Sequence, residues 1–120
     1  MHILTVEKDV ELHYLYKYAL REINCQLVLT DNGQEALQHL QQHTPQLIYM
    51  NMMLPIVSGK ELLDYIEITP RLRSTHIAII CTIPNVQRYI AHLPSAEFQL
   101  KPILPTDIRR IALKAMANLG

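Results

Sequence analysis

The chain has 120 residues, which is enough for one domain with a sizeable core over 1–120 and too few for two. Lysine plus arginine and aspartate plus glutamate number 11 each, so the net charge gives no argument for binding nucleic acid or an anionic membrane, and we expect neither. The apolar runs are far shorter than the roughly 20 residues that span a bilayer, and no signal-peptide pattern precedes the first of them, so we expect a cytoplasmic domain.

The first two predicted units each consist of a buried strand followed by a helix. The apolar runs His2–Val6 and Gln26–Thr30 predict the strands. Asp9 and Asn32 follow them and are good residues to cap the next helices. Apolar side chains at helical spacing then predict one buried face on each helix.

The third unit contains the central strand. Leu47–Met50 is an apolar run typical of a strand buried on both faces, and it ends near Asn51. Pro55 cannot donate to a strand ladder, so a loop follows. Ser58 lies three residues before Glu61, a capping-box spacing that predicts the start of a third helix. Because open α/β sheets place their chemistry at the carboxyl ends of the strands, we expect Asn51 to lie at the functional site.

The second half of the chain repeats the pattern twice more. Ile77–Thr82 and Ala96–Leu100 predict the fourth and fifth strands, with a short helix over Val86–His92 between them. Pro105 is favoured in the first turn of a helix and predicts a last one. Strands alternating with helices indicate a doubly wound, five-stranded parallel sheet. The chain could be a whole small protein or a domain of a longer one.

Four motifs, in this order and spacing, resemble the receiver domain of two-component response regulators over essentially the whole chain. The resemblance implies a (βα)5, flavodoxin-like or CheY-like fold with strand order 2-1-3-4-5, and a signalling module that is not an enzyme. The motifs are Glu7-Lys8-Asp9, Asn51 followed by Met-Met-Leu-Pro and Ser58-Gly59, Thr82-Ile83, and Lys101-Pro102.

Three positions depart from the chemistry that the resemblance implies, namely Asn51, Lys8 and Ile83. The family has at position 51 an aspartate that accepts a phosphoryl group from a histidine kinase, whereas the amide of Asn51 is a poor nucleophile and a weaker metal ligand. The family holds Mg²⁺ with acidic residues at the positions of Glu7 and Lys8, but an ammonium repels a dication. We therefore expect no phosphorylation at Asn51, weak or absent Mg²⁺ binding, and no cofactor.

The remaining pocket positions are also assigned by the resemblance. Ile83 occupies the position of the family's hydroxyl residue, and Thr82, one residue earlier, should point to the opposite face. Lys101 is the family's phosphate-binding lysine, Phe98 is at the position of the switch aromatic, and the bond before Pro102 is expected to be cis.

Two lysines have more than one interpretation. Lys101 could pair with Glu7 and with the amide oxygen of Asn51 in a satisfied polar cluster, or it could bind an external anion. Lys8 could replace the metal as a built-in cation, or it could face solvent.

We interpret the chain as a pseudo-receiver that has lost phosphotransfer and works as a protein-interaction module. The resemblance nominates a face formed by the short helix, the fifth strand and the last helix for docking a signalling protein, an attached domain or a second copy in a homodimer. Its residues are Arg88, Tyr89, His92, Phe98 and Arg109.

Other interpretations stay open at this point. A competent receiver could use another acceptor, for which Asp31 and Asp64 are candidates. A flavodoxin-like domain that binds a small ligand is a further alternative, although a chain with 3 glycines has no glycine-rich phosphate loop. His39 and His43 have a spacing that could hold a metal, but with no third ligand apparent we interpret them as a solvated helix face.

Overall fold

The computed structural model describes residues 1–82, 93 and 95–119. Its strands are β1 (His2–Val6), β2 (Gln26–Thr30), β3 (Leu47–Met50), β4 (His76–Cys81) and β5 (Ala96–Leu100). Its helices are α1 (Val10–Ala19), α2 (Gly33–Gln42), α3 (Gly59–Ile68) and α4 (Pro105–Ala117), with a 3-10 turn at Pro70–Leu72. The predicted helix at Val86–His92 lies outside the described residues.

All strand pairs are parallel, and the order across the sheet is β2-β1-β3-β4-β5, which confirms the predicted fold. Every residue of β3 and β4 is buried, because helices cover both faces of the sheet. One core lies between the sheet and α2 and α3, and the other lies between the sheet and α1 and α4. Because all the strands are parallel, their carboxyl ends lie at one edge of the sheet.

The predicted strand limits hold for β1, β2, β3 and β5, whereas β4 begins and ends one residue earlier than predicted. The backbone N–H of His76 donates to the Gln46 carbonyl at 2.9 Å, which starts the ladder before the apolar run begins. Thr82 consequently follows the strand and is exposed. The predicted helix caps at Asp9, Asn32 and Ser58 are confirmed, since each side chain accepts from a backbone N–H of the first turn.

Thr5 in β1 is fully buried, and its hydroxyl has no hydrogen-bond partner among the described residues. A buried hydroxyl without a partner has lost its hydration without compensation. We expect Thr5→Val, which keeps the side-chain shape, to stabilise the domain by about 1 kcal/mol. Urea unfolding measures this change, and a destabilised Thr5→Val variant would contradict it. Thr30→Val is the matched control and should destabilise, because the Thr30 hydroxyl donates to the Thr5 carbonyl at 2.7 Å.

Candidate functional site

Three polar side chains meet at the carboxyl edge of the sheet, and we name them the carboxyl-edge cluster: Glu7, Asn51 and Lys101. Backbone bonds continue the strand ladders to all three, with Glu7 N to Thr30 O at 3.0 Å, Asn51 N to Val6 O at 3.0 Å and Lys101 N to Cys81 O at 2.8 Å. Glu7 and Asn51 are 1% and 5% exposed, which is unusual for a carboxylate and an amide. The parallel sheet therefore brings together residues that are far apart in sequence.

The amide of Asn51 has one defined orientation. Its Nδ2 donates to both Glu7 oxygens, Oε1 and Oε2, at 3.3 Å each. Its Oδ1 accepts from the backbone N–H of Met53 at 3.0 Å. An ionised carboxylate only accepts and a backbone N–H only donates, so the two neighbours fix the amide. An aspartate here would turn an acceptor toward Glu7.

The Glu7 carboxylate has further partners. Oε2 lies 3.3 Å from Lys101 Nζ, and the Lys101 side chain is 22% exposed. Oε1 accepts from the backbone N–H of Asp9 at 3.1 Å. Both oxygens of the one buried carboxylate in this cluster are therefore engaged, one by a cation. The pairing matches the polar-cluster interpretation of Lys101, except that the Asn51 oxygen is bound by Met53 and not by Lys101.

The sequence did not reveal that His13 supports this cluster. Its Nε2 lies 2.6 Å from the Glu7 carbonyl oxygen, so it must donate there. His13 is the fourth residue of α1, and its contact fixes the chain between β1 and α1. No local pattern distinguishes it from an ordinary helix-surface histidine.

The donor set fits Mg²⁺ poorly. Mg²⁺ requires near-octahedral oxygen ligands and is usually held by one or two carboxylates. Of the nearby acids, Glu7 is already paired with an ammonium, and Asp9 caps α1 by accepting from Glu11 N. The Asn51 group that faces Glu7 is a nitrogen donor, which cannot coordinate a cation.

The other pocket positions lie around the cluster. Lys8 is exposed, and among the described residues no ion pair joins it to Glu7, which fits the interpretation that it faces solvent. Thr82 is exposed, and Ile83 lies outside the described residues. The Lys101-Pro102 peptide bond is cis, as the resemblance implies.

The loop after Asn51 packs tightly against two helix starts. A Cβ at Gly33 would lie 1.7 Å from the Val57 carbonyl oxygen, and one at Gly59 would lie 2.6 Å from the Met52 Cα. The Gly33 N–H also donates to Pro55 O at 3.3 Å. The loop that follows the cluster is therefore held by α2 and α3 together.

Two positions of the nominated docking face can be described. Phe98 is half-buried and packs against the core beneath α2 and α3. Arg109 Nη1 donates to Glu22 Oε2 at 2.9 Å, on the side toward α1. Arg88, Tyr89 and His92 lie outside the described residues.

The sequence matches the response regulator receiver domain family over residues 3–112. The chain belongs to this family. It is 34% identical over 76 residues to the polar-differentiation response regulator DivK of Brucella anthropi, a stretch that covers 62% of this chain and 60% of DivK, less than two thirds of its length.

Solved structures of receiver domains share the fold. The receiver domain of a signal transduction histidine kinase from Syntrophus aciditrophicus has a TM-score of 0.86 at 21% identity, covering 99% of this chain and 92% of that one. The receiver domain of sensor histidine kinase PA1611 from Pseudomonas aeruginosa, solved with a magnesium ion in its active site cleft, has a TM-score of 0.83 at 18% identity, covering 97% of each chain.

Receiver domains are signalling modules of two-component systems, and they interact with other signalling proteins. Membership in the receiver domain family favours a signalling module over a flavodoxin-like domain that binds a small ligand. Among the described residues, no helix of this receiver domain is long and apolar enough to cross a membrane.

Proposed function

We propose that this receiver domain is not phosphorylated at position 51 and acts as a protein-interaction module in two-component signalling. The observation that carries the proposal is the Asn51 amide, which donates to both oxygens of the buried Glu7 carboxylate. An amide lacks the negative charge that makes a carboxylate a nucleophile. Position 51 therefore stabilises the pocket and does not accept a phosphoryl group.

Lys101 has a structural role in this proposal. Its ammonium lies 3.3 Å from the carboxylate of Glu7, whose side chain is 2% exposed. The positive charge of Lys101 is therefore already neutralised at short range. An external phosphate would have to compete with Glu7 for it. The same pairing disfavours a divalent cation, because the cation would have to displace an ammonium.

Partners are proposed to dock on the face that includes β5 and α4. Leu100 and Leu104, on either side of Lys101-Pro102, are 45% and 56% exposed. These apolar side chains lie next to the pocket and would be covered by a partner. The partner is a signalling protein, an attached domain or a second copy of this chain.

Phosphorylation at another residue is the second candidate function. Asp31 directly follows β2 and is exposed, but its Oδ1 accepts from Asn32 Nδ2 at 2.8 Å. Asp64 forms an exposed ion pair with Lys60 at 3.0 Å, on the surface of α3. Neither contacts the cation Lys101, which pairs with Glu7.

A phosphorylation assay tests the proposal. Incubated with radiolabelled acetyl phosphate and Mg²⁺, the wild-type domain should show no stable label above background, because position 51 has no nucleophile. Asn51→Asp restores a carboxylate, and Asn51→Asp with Lys8→Asp also supplies a second acidic residue after β1. We expect the double variant to incorporate more label than the single variant.

Two outcomes would contradict this expectation. Stable label on the wild-type protein, located by mass spectrometry at Asp31 or Asp64, would establish the second candidate function. Equal labelling of the single and double variants would show that Lys8 does not obstruct phosphotransfer.

A further inference from the structure

Three histidines from two elements lie together at the amino edge of the sheet, and we name them the histidine cluster: His2, His39 and His43. His2 begins β1, while the other two lie at the end of α2. The ring centroids are 4.9 Å apart for His2 and His39, 4.5 Å for His39 and His43, and 5.8 Å for His2 and His43. The sequence revealed only the pair on the helix. No three such side chains in the described ranges are placed to hold a metal ion.

A hydrogen bond joins the two elements through this cluster. His39 Nε2 and His2 Nε2 are 2.9 Å apart. Two neutral imidazoles can form this bond, because one nitrogen carries the proton and the other accepts it. One extra proton leaves the bond intact. When both rings are imidazolium, both nitrogens donate and the bond is lost.

The surroundings disfavour positive charge. The His39 and His43 rings are stacked at an interplanar angle of 21°, so a charge on one opposes a charge on the other. Arg71 Nη1 donates to the His43 carbonyl at 2.9 Å, which adds a cation at the end of α2. Among the described residues, three charged groups lie near the cluster: the Met1 ammonium, Arg71 at the His43 carbonyl, and Glu35. Glu35 lines the same surface groove as His39 and His43, and its Oε1 already accepts from Asn32 Nδ2.

These features set the direction of the pH dependence. Burial first, and then the charge on His43, lower the pKa of His2, and the N-terminal ammonium adds to this. Burial, His2 and His43 lower the pKa of His39 in the same way. Because the folded pKa values lie below the unfolded value of about 6.5, the unfolded chain takes up protons first on acidification. The contribution of His2 and His39 to the stability of the folded state is therefore complete at pH values above the unfolded pKa. It is lost as the pH falls from there through the folded pKa values of the two rings.

We propose that the histidine cluster is a pH-sensitive contact. It holds the end of α2 against the start of β1 at neutral pH and releases the helix end on acidification. The other end of α2 contacts the loop that follows Asn51, through the Gly33 N–H and Pro55 O at 3.3 Å. The helix α2 thus links the histidine cluster to the loop beside the carboxyl-edge cluster.

Hydrogen exchange followed by NMR on the full chain tests whether the end of α2 is released on acidification. The His43 amide donates to the His39 carbonyl at 2.9 Å and reports the last turn of α2. Between pH 8 and pH 5.5, we expect its protection, corrected for intrinsic exchange, to fall at least tenfold more than that of the Thr69 amide. Thr69 donates to Ile66 O at the end of α3 and is the internal control.

Two variants separate the charge from the bond. His43→Gln removes the ring that lowers the pKa of His2 and His39 and keeps the bond between them, so both remaining ring pKa values should move upward in an NMR titration. His39→Gln removes the imidazole pair, so the pH-dependent loss of protection at the end of α2 should largely disappear. Equal loss at the ends of α2 and α3 in the wild type, unchanged loss in His39→Gln, or unmoved ring pKa values in His43→Gln would overturn the proposal.

Discussion

Replacing Asn51 with aspartate should destabilise the domain by about 3 kcal/mol at neutral pH in Mg²⁺-free buffer, a cost typical of an uncompensated buried charge. The new carboxylate would lie against Glu7, where the Asn51 Nδ2 now donates at 3.3 Å to both oxygens. In the variant, two buried carboxylates would share one cation, Lys101, and the two hydrogen bonds from Asn51 Nδ2 to Glu7 would be lost. The Met53 N–H would keep an acceptor, so the loss arises from the contact with Glu7.

Urea unfolding with and without Mg²⁺ measures this effect. Mg²⁺ should recover part of the loss in Asn51→Asp, whose new carboxylate adds an oxygen ligand beside Glu7, and should leave the wild type unchanged, because a cation stabilises only a folded state that binds it. Asn24→Asp is the matched control on an exposed residue and should change stability by less than about 0.5 kcal/mol.

A second variant tests the cause. Glu7→Gln combined with Asn51→Asp exchanges the amide and the carboxylate, so an amide again faces a carboxylate. We expect this pair to recover part of the stability without Mg²⁺. An Asn51→Asp variant as stable as the wild type in Mg²⁺-free buffer would contradict the structural role given to the amide.

Replacing Lys101 with methionine should also cost about 3 kcal/mol, since it leaves the buried Glu7 carboxylate without its cation. Lys101→Met with Glu7→Gln removes both charges and should recover most of that loss. The double-mutant cycle therefore yields the interaction energy of the pair.

Lys60→Met is the matched control for this cycle. Lys60 pairs with Asp64 at 3.0 Å, but both side chains are 59% exposed, and exposed ion pairs contribute about 0–1 kcal/mol. A Lys101→Met variant that loses no more than Lys60→Met would show that Glu7 does not depend on Lys101. Lack of recovery in the double variant would assign the loss to packing of the lysine stem.

The sequence predicted the fold because its apolar runs are short and end at clear signals. Pro55 and the caps at Asp9, Asn32 and Ser58 mark the changes from strand to loop to helix. The start of β4 was missed because His76 is polar, and its burial depends on Glu97 in β5. A contact between residues of different strands leaves no trace in a local pattern.

The same limit applies to the candidate site. The meeting of Glu7, Asn51 and Lys101 follows from parallel strands ending at one edge, and the structure brings these three residues together. The direction of the Asn51 amide, the His13 contact and the third histidine of the cluster depend on distances across the fold. Residue types at fixed spacing cannot supply them.

The ion pair between Glu7 and Lys101 has a consequence for how such a domain could carry information. If, as proposed, position 51 accepts no phosphoryl group and Lys101 is already paired with Glu7, phosphorylation of this pocket would not shift the affinity of the domain for a partner. The occupied fraction of the partner then follows mass action. It rises with the concentration of the domain and levels off once that concentration is well above the dissociation constant. Synthesis and turnover, and not a kinase, would set the strength of the output.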